Sequence, residues 1–344
     1  MTIILIIVGS LLVCLFVGCS VVYTLLFDRV EEVPENQFIA AHLQWHDIDQ
    51  TKYPREEVRF NSGRSSLQGF IYGGSNDKGL VVISHCMRGT ADAYFPMIMF
   101  FVDRGWRVFA FNNTGVSGSE GIYMRGFPQA VIDLDAALHF VNESSALKEL
   151  PIMLVGHSWG GYAVTAVLNY DHNVSAVVSF SGFNSGRELS IEHGISRAGF
   201  FFHLLSPHFW AIERLRFGRT MRLTAVDGIN RADIPVMIVH ASDDRFVSPT
   251  TTAIYAHRER ITNPHAEFIM LDVDDGLGHE FPFISEESIE YIRIAEESLQ
   301  RYWAETQNPS PEQWVKQFNF CKLKANELNS ELMERINIFF RDNV

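Results

Sequence analysis

Hydrophobic and polar positions divide this chain into an apolar leader and a long alternation of short apolar runs with amphipathic stretches. The 25 residues from Ile3 to Phe27 carry no charge. As a helix they would extend about 37 Å, enough to cross a bilayer with some tilt. No Lys or Arg precedes the run, and it outlasts the h-region of a cleaved signal, so a retained transmembrane anchor is expected. After a polar linker around Pro34 to Pro54, buried strands are predicted at Gly79–Ser84, Trp106–Phe111, Pro151–Val155, Val174–Phe180, Ile234–His240 and Phe268–Val273. Helical spacing marks Ala93–Asp103, Phe127–Val141, Gly160–Asn169 and Ser285–Ala304. Strands alternating with helices imply an α/β fold with a mostly parallel central sheet flanked by helices. Two stretches leave the alternation: an insertion from Phe183 to Arg231, and a helical segment from Gln313 to Phe340. The expected organisation is an anchor (1–27), a linker (28–58), a main domain (59–307) with a helical cap inserted at 183–231, and a C-terminal helical extension (308–344).

Composition narrows the classes. At 344 residues, 47% hydrophobic and 20% charged, the chain can bury a core and is not disordered. A formal charge of -13 argues against a nucleic-acid partner held by counterion release. Four cysteines are too few for a disulfide scaffold, and two of them, Cys14 and Cys19, fall within the apolar leader. The anchor implies a single-pass membrane protein; the flank Asp28, Arg29, Glu31 and Glu32 does not say on which side the domain lies.

The chemistry concentrates at Gly156-His157-Ser158-Trp159-Gly160, a G-x-S-x-G pattern between a predicted strand and a predicted helix. A tight strand-to-helix turn needs small residues beside the nucleophile, and Gly156, Gly160 and Gly161 supply them. A serine hydroxyl needs a base within hydrogen-bond reach and an acid that orients the base. Asp244, with Asp243 as the alternative, follows the strand ending at His240, at the carboxyl end where α/β sheets build their sites. His279 follows the next strand in a Gly-containing loop and is the candidate base.

In the chain order Ser158, Asp244, His279, the sequence from about Arg59 to Tyr302 resembles the α/β-hydrolase family. It looks closest to membrane-anchored bacterial members and to the serine aminopeptidase-like and acyl-esterase branches. The family's Asp-x-x-Val spacing favours Asp244, with Val247 in the matching place. His85-Cys86-Met87-Arg88-Gly89 stands where the family carries a His-Gly-x motif, with Cys86 replacing the glycine. The resemblance implies that the backbone N–H groups of Met87 and Trp159 form the oxyanion hole. It gives the Gly-rich loop Asn113–Gly121 a structural role.

The remaining polar residues read more simply. His85 is structural, His157 points away from the nucleophile, Asp133 and Asp135 are polar residues of a covering helix, and Cys86 is a small filler. Asp272, Asp274 and Asp275 lack a second His or Cys at ligand spacing, so neither metal nor cofactor is expected. The cap holds the aromatic run Phe200–Trp210, which suits either a lid over an acyl pocket or packing within the cap. It also carries seven arginines against four acids, among them Arg214, Arg216, Arg219 and Arg222, which suit a substrate carboxylate, anionic lipid or a solvated face. The expectation is a membrane-tethered serine hydrolase that cleaves a small-molecule carboxylic ester through an acyl-enzyme. A peptidase or amidase acting on short peptides, and a non-catalytic binding protein of the same fold, are the alternatives. A chain beginning near Val33 is expected to fold without the anchor.

Overall fold

The computed structural model describes residues 1–31, 42–273, 277–280, 282–306 and 310–344. It begins with one helix, α1 (Thr2–Leu26). Strands β1 (Arg55–Ser62) and β2 (Ser65–Tyr72) then pair antiparallel across Gly63-Arg64, with Gly63 at φ +59°. A two-residue hairpin turn takes positive φ readily at glycine. The hairpin carries the sheet into residues 55–58, which the sequence pattern assigned to the linker.

The sheet continues with β3 (Leu80–Ser84), β4 (Arg107–Phe111), β5 (Ile152–His157), β6 (Val174–Phe180), β7 (Val236–Ala241) and β8 (Ala266–Leu271). Its order is β1-β2-β4-β3-β5-β6-β7-β8, with β2 antiparallel to β4 and the strands from β4 to β8 parallel. Every position of β3, β5 and β7 is buried, as strands covered on both faces require. Side chains alternate between two cores: Leu80 and Val82 join Leu134 and Ala163 on one face, while Val81 and Ile83 join Ile98 and Ile336 on the other.

The helices are α2 (Phe95–Asp103), α3 (Pro128–Glu143), α4 (Trp159–Ala166), the cap helices α5 (Gly186–Ala198), α6 (Phe202–Phe217) and α7 (Ala225–Ala232), then α8 (Glu286–Glu305), α9 (Pro311–Phe318), α10 (Lys322–Ala325) and α11 (Ser330–Arg341). The C-terminal segment packs on the sheet. Met333, Ile336 and Phe340 of α11 are buried, and the Trp106 indole N–H donates to Asn337 Oδ1 at 2.9 Å. Asp133 is more than a polar residue on a covering helix. Fully buried, it accepts from Ser62 Oγ (2.6 Å), Thr114 N–H (2.7 Å) and Gln129 Nε2 (2.8 Å), joining β1, the Gly-rich loop and α3.

The expected membrane anchor is corrected. Among the described residues, no helix is long and apolar enough to cross a membrane. From Phe16 onward α1 packs on the protein, with Cys19, Tyr23 and Phe27 buried in the first core. The Tyr23 hydroxyl donates to Glu213 Oε1 of α6 at 2.9 Å, and Arg216 donates to Thr24 Oγ1 at 3.1 Å. The helix before Phe16 rises only about 21 Å, short of a hydrocarbon core of about 30 Å. Ile7, Leu12, Val13, Val17 and Val21 remain exposed. The single-pass membrane placement falls with the span, and so does the expectation of a separable N-terminus. Deleting residues 1–27 withdraws Tyr23 and Phe27 from the core, and each buried aromatic lost costs about 3–5 kcal/mol. The deletion is therefore expected to lower the melting temperature sharply; unchanged thermal unfolding would contradict a packed α1.

Candidate active site

Strand β5 ends at His157, and the chain turns at Ser158, φ +55°, straight into α4. A non-glycine residue at positive φ is strained and persists only where its surroundings fix it. The fixing is visible here. Ser158 N–H donates to Phe180 O of β6 at 2.8 Å, and a Cβ on Gly160 would collide with the Ser84 carbonyl, one on Gly156 with the Gly160 carbonyl. The two glycines let the turn lie flush against β3 and against itself.

Two loops at the carboxyl ends of β7 and β8 reach Ser158. His279 Nε2 lies 3.0 Å from Ser158 Oγ, and His279 Nδ1 lies 2.7 Å from Asp244 Oδ2. Asp243, the alternative acid, packs its carboxylate against Gly278 instead. Asp244 is held by its own turn: Oδ1 accepts from the N–H groups of Phe246 (2.9 Å) and Val247 (2.7 Å). Burial pushes the Asp244 carboxyl up, but hydrogen bonds from His240 and His279 outweigh it and hold the group well below the usual carboxylate range. His240, fully buried with Nε2 at 3.2 Å from Asp244 Oδ2 and 2.9 Å from Val247 O, was not singled out from sequence. It is four residues before Asp244, a separation that meets only because the turn doubles back.

A second set of hydrogen bonds backs the histidine. Burial, aided by the charge of His279, pushes the His157 pKa down to about 3, so its imidazole is neutral near pH 7. One tautomer then satisfies every contact. His157 Nε2–H donates to the His279 carbonyl at 2.7 Å, the Tyr94 hydroxyl donates to His157 Nδ1 at 2.8 Å, and the Cys86 N–H donates to the Tyr94 oxygen at 3.0 Å. The chain of bonds joins the loop after β3 to the loop bearing His279. The His157 ring nitrogens bond Tyr94 and the His279 carbonyl rather than Ser158 Oγ, and Tyr94 carried no sequence signal.

The loop after β3 is itself pinned. Burial pushes the His85 pKa down to about 4; Nδ1–H then donates to Cys86 O at 2.7 Å, and Nε2 accepts from Asn113 N–H at 3.0 Å. Burial likewise pushes the Cys86 thiol up, away from thiolate. Met87 shares a cavity with Ser158, and among the described residues its N–H has no hydrogen-bond acceptor. Trp159 opens α4, where the first N–H groups lack intrahelical acceptors, and its indole N–H donates to Phe127 O at 2.7 Å. Asp274 and Asp275 lie outside the described residues.

The cavity over Ser158 measures about 550 Å³. Phe127, Phe202, Phe209, Trp210 and, at the end of α1, Leu26 and the following Phe27 give it largely apolar walls. Only part of the aromatic run in the cap serves it, since Phe200 and Phe201 are exposed. Arg214, Arg219 and Arg222 are also exposed and outside the lining, whereas Arg216 turns to α1, its guanidinium 4.9 Å from the Tyr23 ring.

Glu213 lines the same cavity. Burial, partly offset by the Tyr23 hydrogen bond and Arg216, raises its pKa from 4.5 to about 7. The folded protein holds this proton to higher pH than the unfolded chain does. Its contribution is therefore fully present below about 4.5 and lost as pH rises through about 7. Glu213→Gln, which cannot ionise, is expected to stabilise the protein by about 3 kcal/mol more at pH 8 than at pH 4. Equal melting-temperature differences at the two pH values would contradict a buried, titrating Glu213.

Residues 75–222 match the family model described as serine aminopeptidase, S33. Among curated proteins none matches this chain. The solved esterase Pf2001 of Pyrococcus furiosus is similar in two crystal forms. One has a TM-score of 0.54 at 17% identity, covering 74% of this chain and 94% of that one. The other has 0.53 at 18%, covering 74% and 95%. With its eight-stranded sheet, its cap inserted after β6 and these likenesses, the chain is a protein of the α/β-hydrolase fold.

Proposed function

We propose that this chain is a serine hydrolase that cleaves a carboxylic ester of an apolar acid through an acyl-enzyme. One observation carries the reading: Ser158 Oγ, His279 and Asp244 stand in hydrogen-bonded series, 3.0 and 2.7 Å apart, at an apolar cavity of about 550 Å³. Ser158 Oγ attacks the ester carbonyl as His279 Nε2 takes its proton. The imidazolium is stabilised by the Asp244 carboxylate, itself kept ionised by His240 and its own turn. The tetrahedral oxyanion is received by the N–H groups of Met87 and Trp159; one such donor is worth about 3–4 kcal/mol in the transition state. Protonated His279 returns its proton to the alcohol oxygen, the C–O bond breaks and the acyl group stays on Ser158. Water, activated by the same imidazole, releases the acid.

Glu213 and Glu280 favour a second reading, hydrolysis of an aminoacyl amide whose free amine meets a carboxylate. The apolar walls, and a Glu213 that burial keeps partly protonated near pH 7, support the ester reading over it. The full-length protein assayed on p-nitrophenyl esters of graded acyl length and on aminoacyl amides separates the two. Length-dependent ester cleavage is expected; amide cleavage alone would move the assignment to the peptidases.

A further inference from the structure

Ester hydrolysis leaves Glu213 unused, a residue 3% exposed that lines the same largely apolar chamber. Its Oε1 accepts from the Tyr23 hydroxyl at 2.9 Å, while among the described residues Oε2 takes no hydrogen bond. Oε2 is not sealed off from the cavity that Glu213 lines, so its lone pairs are open to a group bound there. Holding Tyr23 does not require a carboxyl, since a glutamine amide oxygen accepts the same bond without burying an ionisable group. The spare oxygen therefore points to a ligand.

The surroundings narrow its chemistry. Phe127, Phe202 and Phe209 suit a hydrocarbon chain. Arg216 already places positive charge beside the carboxyl, which works against a substrate ammonium, and the carboxyl itself works against a substrate anion. A hydroxyl meets both conditions, because it donates to the carboxylate or accepts from the acid. We propose that the cavity selects esters of hydroxylated aliphatic acids and that Glu213 is the residue recognising the hydroxyl. This rests on the reading of Ser158 as the nucleophile of an ester hydrolase.

The test compares chromogenic esters of one medium-chain fatty acid with those of its monohydroxy isomers, the hydroxyl moved one carbon at a time. At the best position kcat/KM is expected to exceed that of the plain ester by about tenfold, about 1.4 kcal/mol. In Glu213→Leu the ratio should fall to about one, as one lost hydrogen bond requires. Glu213→Met, unbranched and adaptable, gives the same readout if the leucine variant fails to fold. Tyr23→Phe, which breaks the same contact with α1 but keeps the carboxyl, should retain the preference. The proposal is overturned by a ratio near one at every position, by a preference that survives Glu213→Met, or by amine-bearing isomers outperforming hydroxylated ones. Cleavage of plain esters without hydroxyl preference sinks this proposal alone. Absence of all ester cleavage, with Ser158 unreactive, removes the hydrolase reading and this one with it.

Discussion

Ser158→Ala should reduce kcat for ester hydrolysis by about 10⁴–10⁶-fold while leaving the fold intact. The side chain is buried and small, and the elbow is held by its backbone bond to Phe180 O and by glycines that admit no Cβ, so losing Oγ costs the structure little. What it removes is the atom proposed to form the acyl bond. A residue of rate is expected to survive, because the proposed oxyanion donors at Met87 and Trp159 remain in place. Matching circular dichroism and melting temperature, read beside the loss of turnover, separate the chemical effect from unfolding. Wild-type turnover in this variant would remove Ser158 from the reaction.

The second large effect is expected at the acid. Asp244→Asn should lower kcat by about 10⁴-fold, because an amide can face His279 with an N–H and so favour the wrong tautomer. The amide also forfeits the charge that stabilises the imidazolium. His240 sharpens the expectation: its Nε2 faces Asp244 Oδ2 as well, so two imidazoles lose a carboxylate partner at once. Asp243→Asn should remain within about tenfold of wild type, since Asp243 meets Gly278 rather than His279. Measuring kcat for both variants on one ester decides the matter, and the reverse ranking would assign the orienting role to Asp243.

The parts of this molecule legible in its sequence are those governed by local rules. Val174–Phe180 has the bounds expected of it, and the turn around Ser158 was readable because three glycines mark backbone contacts that no side chain permits. Asp244 and His279 were readable because each follows a strand at the carboxyl edge of the sheet. What escaped was set by packing across long separations. Ile3–Phe27 carries the pattern of a bilayer span, yet from Phe16 onward its aromatic side chains pack against the protein, because a helix buried against protein and a helix buried in lipid ask for the same residues. The β1–β2 hairpin was hidden by charged residues on the exposed positions of an edge strand, although Asn61-Ser62-Gly63 marks its turn. Glu213, 190 residues from Tyr23, showed no pattern that would distinguish it from a solvated acid of the cap.

The central claim, that Ser158 is a nucleophile activated by His279 and Asp244, is tested most directly by covalent capture. The folded full-length protein is treated with a fluorophosphonate, digested, and the adduct located by mass spectrometry. The account predicts a single phosphonylated residue, Ser158, with labelling slowed in His279→Ala and absent in Ser158→Ala. Folded protein that takes up no label, or carries it on another residue such as Cys86, would contradict it.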